Sequence, residues 1–339
     1  MDRRSKQRHL FSIDDLPREE IEGILDRADE FRQMPSFPPL LAGRIVGLLF
    51  LQPSTRTRIG FHAAALRSGA GVFEVASSRF QADMLHPESI DDTVRVVSAY
   101  CDLLVIRHAD AEEVRRGMEA SAVPVINGGA GREHHPTQAL VDLFAIRRHH
   151  GQVEGLRIGI VGNLKDSRAA RSLAQALSLY DLAELRLMSP VGMALPPEIV
   201  ARFPTASVIQ CSRLRPEDLD VLYVAGLPKV DEEALPLAER EAFHVTPDVV
   251  RRMPADGIVL CPLPRLDEID RSVDPEPAAR YFTQSADGLF VRMGLLQTML
   301  EHGSRCPRAE MTAAAEREQP HDGEVTHSSR SASVSPHHS

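Results

Sequence analysis

The chain has 339 residues, 43% hydrophobic and 26% charged, with a formal net charge of −9, which suits a soluble globular protein with two cores of roughly 150 residues each. Aromatic residues make up 5% of it and Trp is absent, which argues against a stacking platform for single strands, and the charge of −9 argues against a binder of phosphate backbones. No apolar run reaches the roughly 18 residues of a membrane span. The first residues lack the apolar core of a secretory leader, and four scattered cysteines (Cys101, Cys211, Cys261, Cys306) read as reduced thiols, so a cytoplasmic protein without membrane or nucleic-acid partners is expected.

Apolar residues at helical spacing (Leu16, Ile21, Ile24, Leu25, Ala28, Phe31) predict a helix over residues 14–32. The apolar run 44–51 has strand length and stops at Gln52-Pro53; a helix follows through Arg67 to the Ser68-Gly69 stop. The cycle repeats as strand 71–75, helix 89–100, strand 103–107, helix 111–120 and strand 123–127. A longer helix, 137–150, ends at Gly151 and leads to strand 156–162, helix 167–180, strand 184–188, helix 197–203 and strands 207–211, 221–224 and 257–261. A last helix, 287–302, is apolar on more than one face.

Short strands that are apolar on both faces, set between helices, imply an α/β protein of two domains, each a mainly parallel sheet flanked by helices. The expected boundaries are 1–147, completed by helix 287–302, and 148–286. Residues 303–339, rich in Ser, His, Glu, Arg and Ala, read as a disordered tail.

The strongest chemical signal is Pro53-Ser54-Thr55-Arg56-Thr57-Arg58, directly after a buried strand and at a helix start. The first backbone N–H groups of a helix have no intrahelical partner and carry the positive end of its dipole. Hydroxyls and a guanidinium added there form a cradle for a phosphate dianion. The rival reading is a Ser/Thr helix cap flanked by solvated arginines. Arg107-His108 and the loop from Asn127 to His134-His135-Pro136-Thr137-Gln138 also follow strands, where ligands of open α/β sheets bind. Gly159-Ile-Val-Gly162 is not a full dinucleotide fingerprint.

These segments, with DTVRVVSAY at 92–100, HPTQALVDL at 135–143, GNLKDSR at 162–168, PLPRLDEI at 262–269 and Tyr281-Phe282 with Gln284, occur in one unbroken order. In this the chain resembles the aspartate/ornithine carbamoyltransferases, and the aspartate branch more closely, from about residue 11 to 302. The resemblance implies transfer of the carbamoyl group of carbamoyl phosphate to an amine, with no metal or cofactor, in a homotrimer with shared sites. It assigns Ser54, Thr55, Arg56 and Thr57 to the phosphate, and Arg107, His135 and Thr57 to the carbonyl oxygen. Gln138 and the backbone carbonyls of Pro262 and Leu263 accept from the carbamoyl NH2, and Arg168 and Leu263 face the acceptor. The catalytic set implied is Arg56, Thr57, Arg107 and His135.

The acceptor side departs from the family. Its Arg-x-Gln clamp aligns with Gly226-Leu227-Pro228, which offers no side-chain donor. The loop 78–89, which in the family reaches a neighbouring subunit with a serine and a lysine, has Ala82 and His86 at those positions; His86 supplies a weaker, pH-dependent charge or is simply solvated. Cys261 stands where the aspartate branch has a histidine, and Gln52 where a glutamate is common. The ornithine branch's Ser-Met-Gly segment is absent too. The leading expectation is therefore an acceptor other than L-aspartate, such as a diamino acid. A true aspartate carbamoyltransferase with a rearranged loop, or a catalytically silent paralogue acting as a subunit, are the alternatives.

Overall fold

The computed structural model describes residues 8–76, 88–228 and 235–302. In chain order come α1 (Arg18–Gln33), β1 (Ile45–Phe50), α2 (Arg56–Arg67), β2 (Gly71–Ala76), α3 (Ile90–Ser98), β3 (Leu103–His108), α4 (Ala111–Ala120), β4 (Val125–Ala130) and α5 (Pro136–His150). The second half has β5 (Arg157–Val161), α6 (Arg168–Leu177), β6 (Glu184–Met188), α7 (Pro197–Val200), β7 (Val208–Cys211) and β8 (Val221–Val224). It ends with α8 (Leu237–Glu241), α9 (Pro247–Val250), β9 (Ile258–Leu260) and α10 (Tyr281–His302).

Several elements differ from expectation; β4 is shifted to Val125–Ala130 and α7 ends early, at Val200. The first helix begins at Arg18, because Pro17 forces Leu16 into an extended conformation (φ −108, ψ 118), and Ile13–Asp15 form a separate 3₁₀ turn capped by Ser12. The last helix begins at Tyr281, before the expected residue 287: Gln284 and Asp287 are buried polar residues that interrupt the apolar period without interrupting the helix. Helices α8 and α9, each starting at a proline, are too short to show a period. The expected tail, 303–339, lies outside the described residues.

All strand pairs are parallel, in the orders β2-β1-β3-β4 and β7-β6-β5-β8-β9. In each sheet the order reverses direction once, between β1 and β3 and between β5 and β8. Chains leaving such a switch point diverge to opposite faces and open a crevice at the carboxyl ends. Segment 51–57 and Arg107 stand at the first crevice, and residues 162–168 and 225–228 at the second.

The strands are buried on both faces, as in β1 and β3, where Val46, Leu48, Leu49, Leu103, Val105 and Ile106 are inaccessible. One apolar cluster runs from the first sheet through α5 and α6 to Ile158, Ile160, Tyr223 and Leu260 of the second. Helix α10 returns across α1, α2 and α5. Its Asp287 is paired with Arg148 at 2.5 Å and Arg32 at 3.6 Å.

The second switch point depends on Gly162. It has φ 127, and a Cβ there would strike the Gly226 carbonyl, which accepts from the Asn163 N–H at 2.8 Å. Gly162→Ala is expected to lose about 1–3 kcal/mol of stability, the usual cost of a strained backbone site. The shift in urea midpoint measures it.

Candidate active site

Helix α2 opens the first crevice without a cap. Thr55 is the N-cap residue but has helical angles (φ −79, ψ −58) and makes no side-chain capping bond, and no acidic residue occupies the first turn. Helices α3 and α4, in contrast, are capped by Ser89 and Asp110 and start with carboxylates. The hydroxyls and N–H groups of the α2 turn are thus left unspent beside a positive dipole end. The simple capped turn, the rival sequence reading, is not what this segment forms.

Guanidiniums converge on this turn. Arg107, at the end of β3, is buried; its Nη1 donates to the Gly128 carbonyl at 3.0 Å and its Nε has no partner among the described residues. Burial, then Arg168 and Arg56, press its pKa down to about 9, which still leaves it charged at neutral pH. Arg168, first residue of α6, donates to the Gly131 carbonyl at 2.8 Å and to Gln52 Oε1 at 3.4 Å. Gly129, with φ 129, gives these two side chains room: a Cβ there would strike Arg107. His135 is buried, and desolvation with four surrounding arginines holds its pKa well below the usual value. The imidazole is therefore neutral. The Thr137 hydroxyl lies 3.3 Å from Nδ1; in the tautomer in which that hydroxyl donates, Nε2 carries the ring proton and is free to donate it.

The opposite wall is organised by Asp142, a fully buried carboxylate on α5. Its Oδ1 accepts from Gln138 Nε2 at 2.7 Å and from Gln284 Nε2 at 2.6 Å. Both amides are therefore fixed with their oxygens turned away from Asp142. That of Gln284 accepts the Cys261 N–H at 3.0 Å, at the head of the Pro262-Leu263 loop. In that loop Leu263 has φ 51 and precedes a cis proline. One carboxylate thus positions Gln138 directly and the loop at one remove.

A hollow of about 240 Å³ brings these elements together. Ser54, just before α2, and Arg56 and Thr57 in its first turn line it, with Arg107, His135 and Gln138 from the rest of the first half and Arg168, Pro262 and Leu263 from the second. Thr55 is exposed and does not line it. His86 and Ala82 lie outside the described residues. The sequence reading missed Asp142, although a carboxylate four residues after Gln138 on an otherwise apolar helix was a signal for a buried pair. It also missed Arg292 of α10, which lies over the Phe61 ring at 5.5 Å and adds to the positive field on His135. The hollow can hold a dianion, polarise a carbonyl oxygen with uncharged and charged donors, and accept from an amide NH2.

The chain matches the family models for the carbamoyl-P binding domain of aspartate/ornithine carbamoyltransferases over residues 8–148 and their Asp/Orn binding domain over residues 154–299. It is 40% identical over 301 residues to the aspartate carbamoyltransferase catalytic subunit of Archaeoglobus fulgidus, covering 86% of this chain and 99% of that one. Against the same subunit of Methanocaldococcus jannaschii it is 36% identical over 304 residues, covering 87% and 98%. The crystal structure of the M. jannaschii catalytic subunit superposes with a TM-score of 0.79 at 35% identity, over 88% of this chain and all of that one. Trypanosoma cruzi aspartate transcarbamoylase, solved with carbamoyl phosphate and aspartate, gives 0.80 at 29% identity, over 86% and 95%.

Burial raises the Asp142 pKa from 3.8 to about 7. Between those values the folded protein holds a proton that the unfolded chain has lost, so this group adds stability as pH falls from 7 towards 4. Asp142→Asn should therefore be at least as stable as wild type at pH 8. Its stability should also decline more steeply, or rise less, on acidification to pH 4. Urea unfolding at several pH values tests both.

Proposed function

The chain belongs to the aspartate/ornithine carbamoyltransferase family, and from that premise we propose how its residues carry out the transfer. Carbamoyl phosphate binds with its phosphate on Ser54, Arg56 and Thr57, which line the hollow, whereas Thr55, assigned to the phosphate from the sequence, does not line it. Arg107, His135 and Thr57 donate to the carbonyl oxygen, and Gln138 with the Pro262 and Leu263 carbonyls accepts from the NH2. The amine of an amino acid held by Arg168 attacks the carbonyl carbon. A tetrahedral oxyanion forms, stabilised by donors already in place. The C–O bond to phosphate then breaks, and the leaving phosphate accepts the amine proton. The observation that carries this reading is the convergence of an uncapped helix start, three guanidiniums and a neutral imidazole on one hollow.

For the acceptor, relatives that are 36–40% identical are named aspartate carbamoyltransferases, which favours L-aspartate over the non-aspartate acceptor expected from the sequence. A second reading rests on one specific observation: at the end of β8, Gly226-Leu227-Pro228 lines the neighbouring hollow without a side-chain donor for a second carboxylate. The proposal includes a homotrimer and a cytosolic setting. Family membership supports the first, and free thiols at Cys101, Cys211 and Cys261 support the second. The loop with His86 would complete the neighbouring site.

Arg56→Ala removes a charge-assisted contact to the phosphate and is expected to lower kcat/KM by about 30- to 5,000-fold, the equivalent of about 2–5 kcal/mol. Asp142→Asn, which lets one glutamine amide flip, is expected to lower kcat by on the order of 100-fold while the fold holds. Near-normal phosphate release in either variant contradicts the role given to that residue. Sedimentation should return three times the monomer mass.

A further inference from the structure

The hollow that holds Arg168 continues into a second one of about 250 Å³, and the two share Asp166, Ser167 and Pro264. Their charges are opposite. Three arginines and a single carboxylate line the first. Asp166 and Glu268 line the second, where no Lys, Arg or His lines it among the described residues.

Glu268 is the decisive group. It is 2% exposed. Its Oε2 accepts the backbone N–H groups of Leu266 at 3.0 Å and Asp267 at 3.1 Å, which fixes the carboxylate plane. Its Oε1 has no hydrogen-bond partner among the described residues and points to the end of β8, 3.7 Å from where a Cβ on Gly226 would stand. The nearby Arg240 is committed to Asp267 and to the Pro228 carbonyl. A buried carboxylate with one fixed, unpaired oxygen facing a hollow is complementary to a cation. A second carboxylate placed there would meet two like charges.

We propose that this hollow is a subsite for an ammonium group of the acceptor. The acceptor class is then a short diamino acid: its carboxylate pairs with Arg168, one ammonium pairs with Glu268, and the other amine, neutral, attacks carbamoyl phosphate. The inference rests on the carbamoyl-transfer reading and deepens the second account of the acceptor.

The test measures phosphate release by the full chain at saturating carbamoyl phosphate. The acceptors are L-2,3-diaminopropionate, L-2,4-diaminobutyrate, L-ornithine, L-aspartate and L-alanine. At least one diamino acid should exceed both L-aspartate and L-alanine in kcat/KM by about tenfold or more, the effect of one charge-assisted hydrogen bond. Glu268→Gln keeps an oxygen for the two backbone N–H groups. It should raise KM for that diamino acid by about tenfold or more, leaving KM for carbamoyl phosphate within about twofold. Should this variant fail to fold, Pro228→Arg, which brings a guanidinium to the wall of the hollow without a side chain at the positive-φ Gly226, must abolish the diamino-acid preference. Preference for L-aspartate or L-alanine, or a diamino-acid KM indifferent to Glu268→Gln, overturns the subsite and leaves carbamoyl transfer standing. No phosphate release with any amine overturns both.

Discussion

Three guanidiniums, those of Arg56, Arg107 and Arg168, share one hollow with a single lining carboxylate, Asp166, which is itself turned to Arg132 and Asn163. Like charges gathered in one hollow repel, and the burial of Arg107 weakens the screening by water at the inner end. The surrounding structure relieves what it can: carbonyls of Gly128 and Gly131 accept from two of them, and His135 stays neutral instead of adding a fourth charge. What remains is a positive field that an anion neutralises. The uncapped start of α2 points into the same field. The backbone details follow from this arrangement, for Gly129 is the residue that lets two arginines approach, and the strand ends set their spacing.

The second constraint is polar and buried. Asp142 touches no solvent, yet it holds Gln138 from its own helix and Gln284 from α10, and through Gln284 the Cys261 backbone at the end of β9. A buried carboxylate of this kind adds little to stability, because desolvation opposes its hydrogen bonds. Its value lies in geometry. Both amide groups are left one orientation, so their oxygens act as acceptors. The hollow is thereby given donors on one wall and acceptors on the other, as a carbamoyl group requires.

Kinship with proteins named aspartate carbamoyltransferases covers nearly the whole described chain, but identity over a chain averages many positions, and acceptor choice depends on few. In this chain the second hollow is lined by two carboxylates, and no cationic side chain lines it among the described residues. The end of β8 presents glycine and proline, and Glu268 stands beside them with an oxygen unpaired among the described residues.

The sequence by itself determined the α/β class, the strand–helix alternation and the position of the phosphate turn, because each is written in local pattern: apolar runs of strand length, helical spacing, and hydroxyls after a strand. Helix 111–120 and strands 184–188 and 221–224 coincide with the structure for that reason. The start of α10 was hidden, since Gln284 and Asp287 look like surface residues until their partners on α5 are known. The roles of Asp142 and Arg292, the neutral state of His135 and the opposed charges of the two hollows were decided only by tertiary structure. Each depends on groups more than 100 residues apart in sequence, such as Asp142 and Gln284, brought together where two sheets reverse their order. Burial and distance set the charge state and direction of such groups, and neither quantity exists in the chain before it folds.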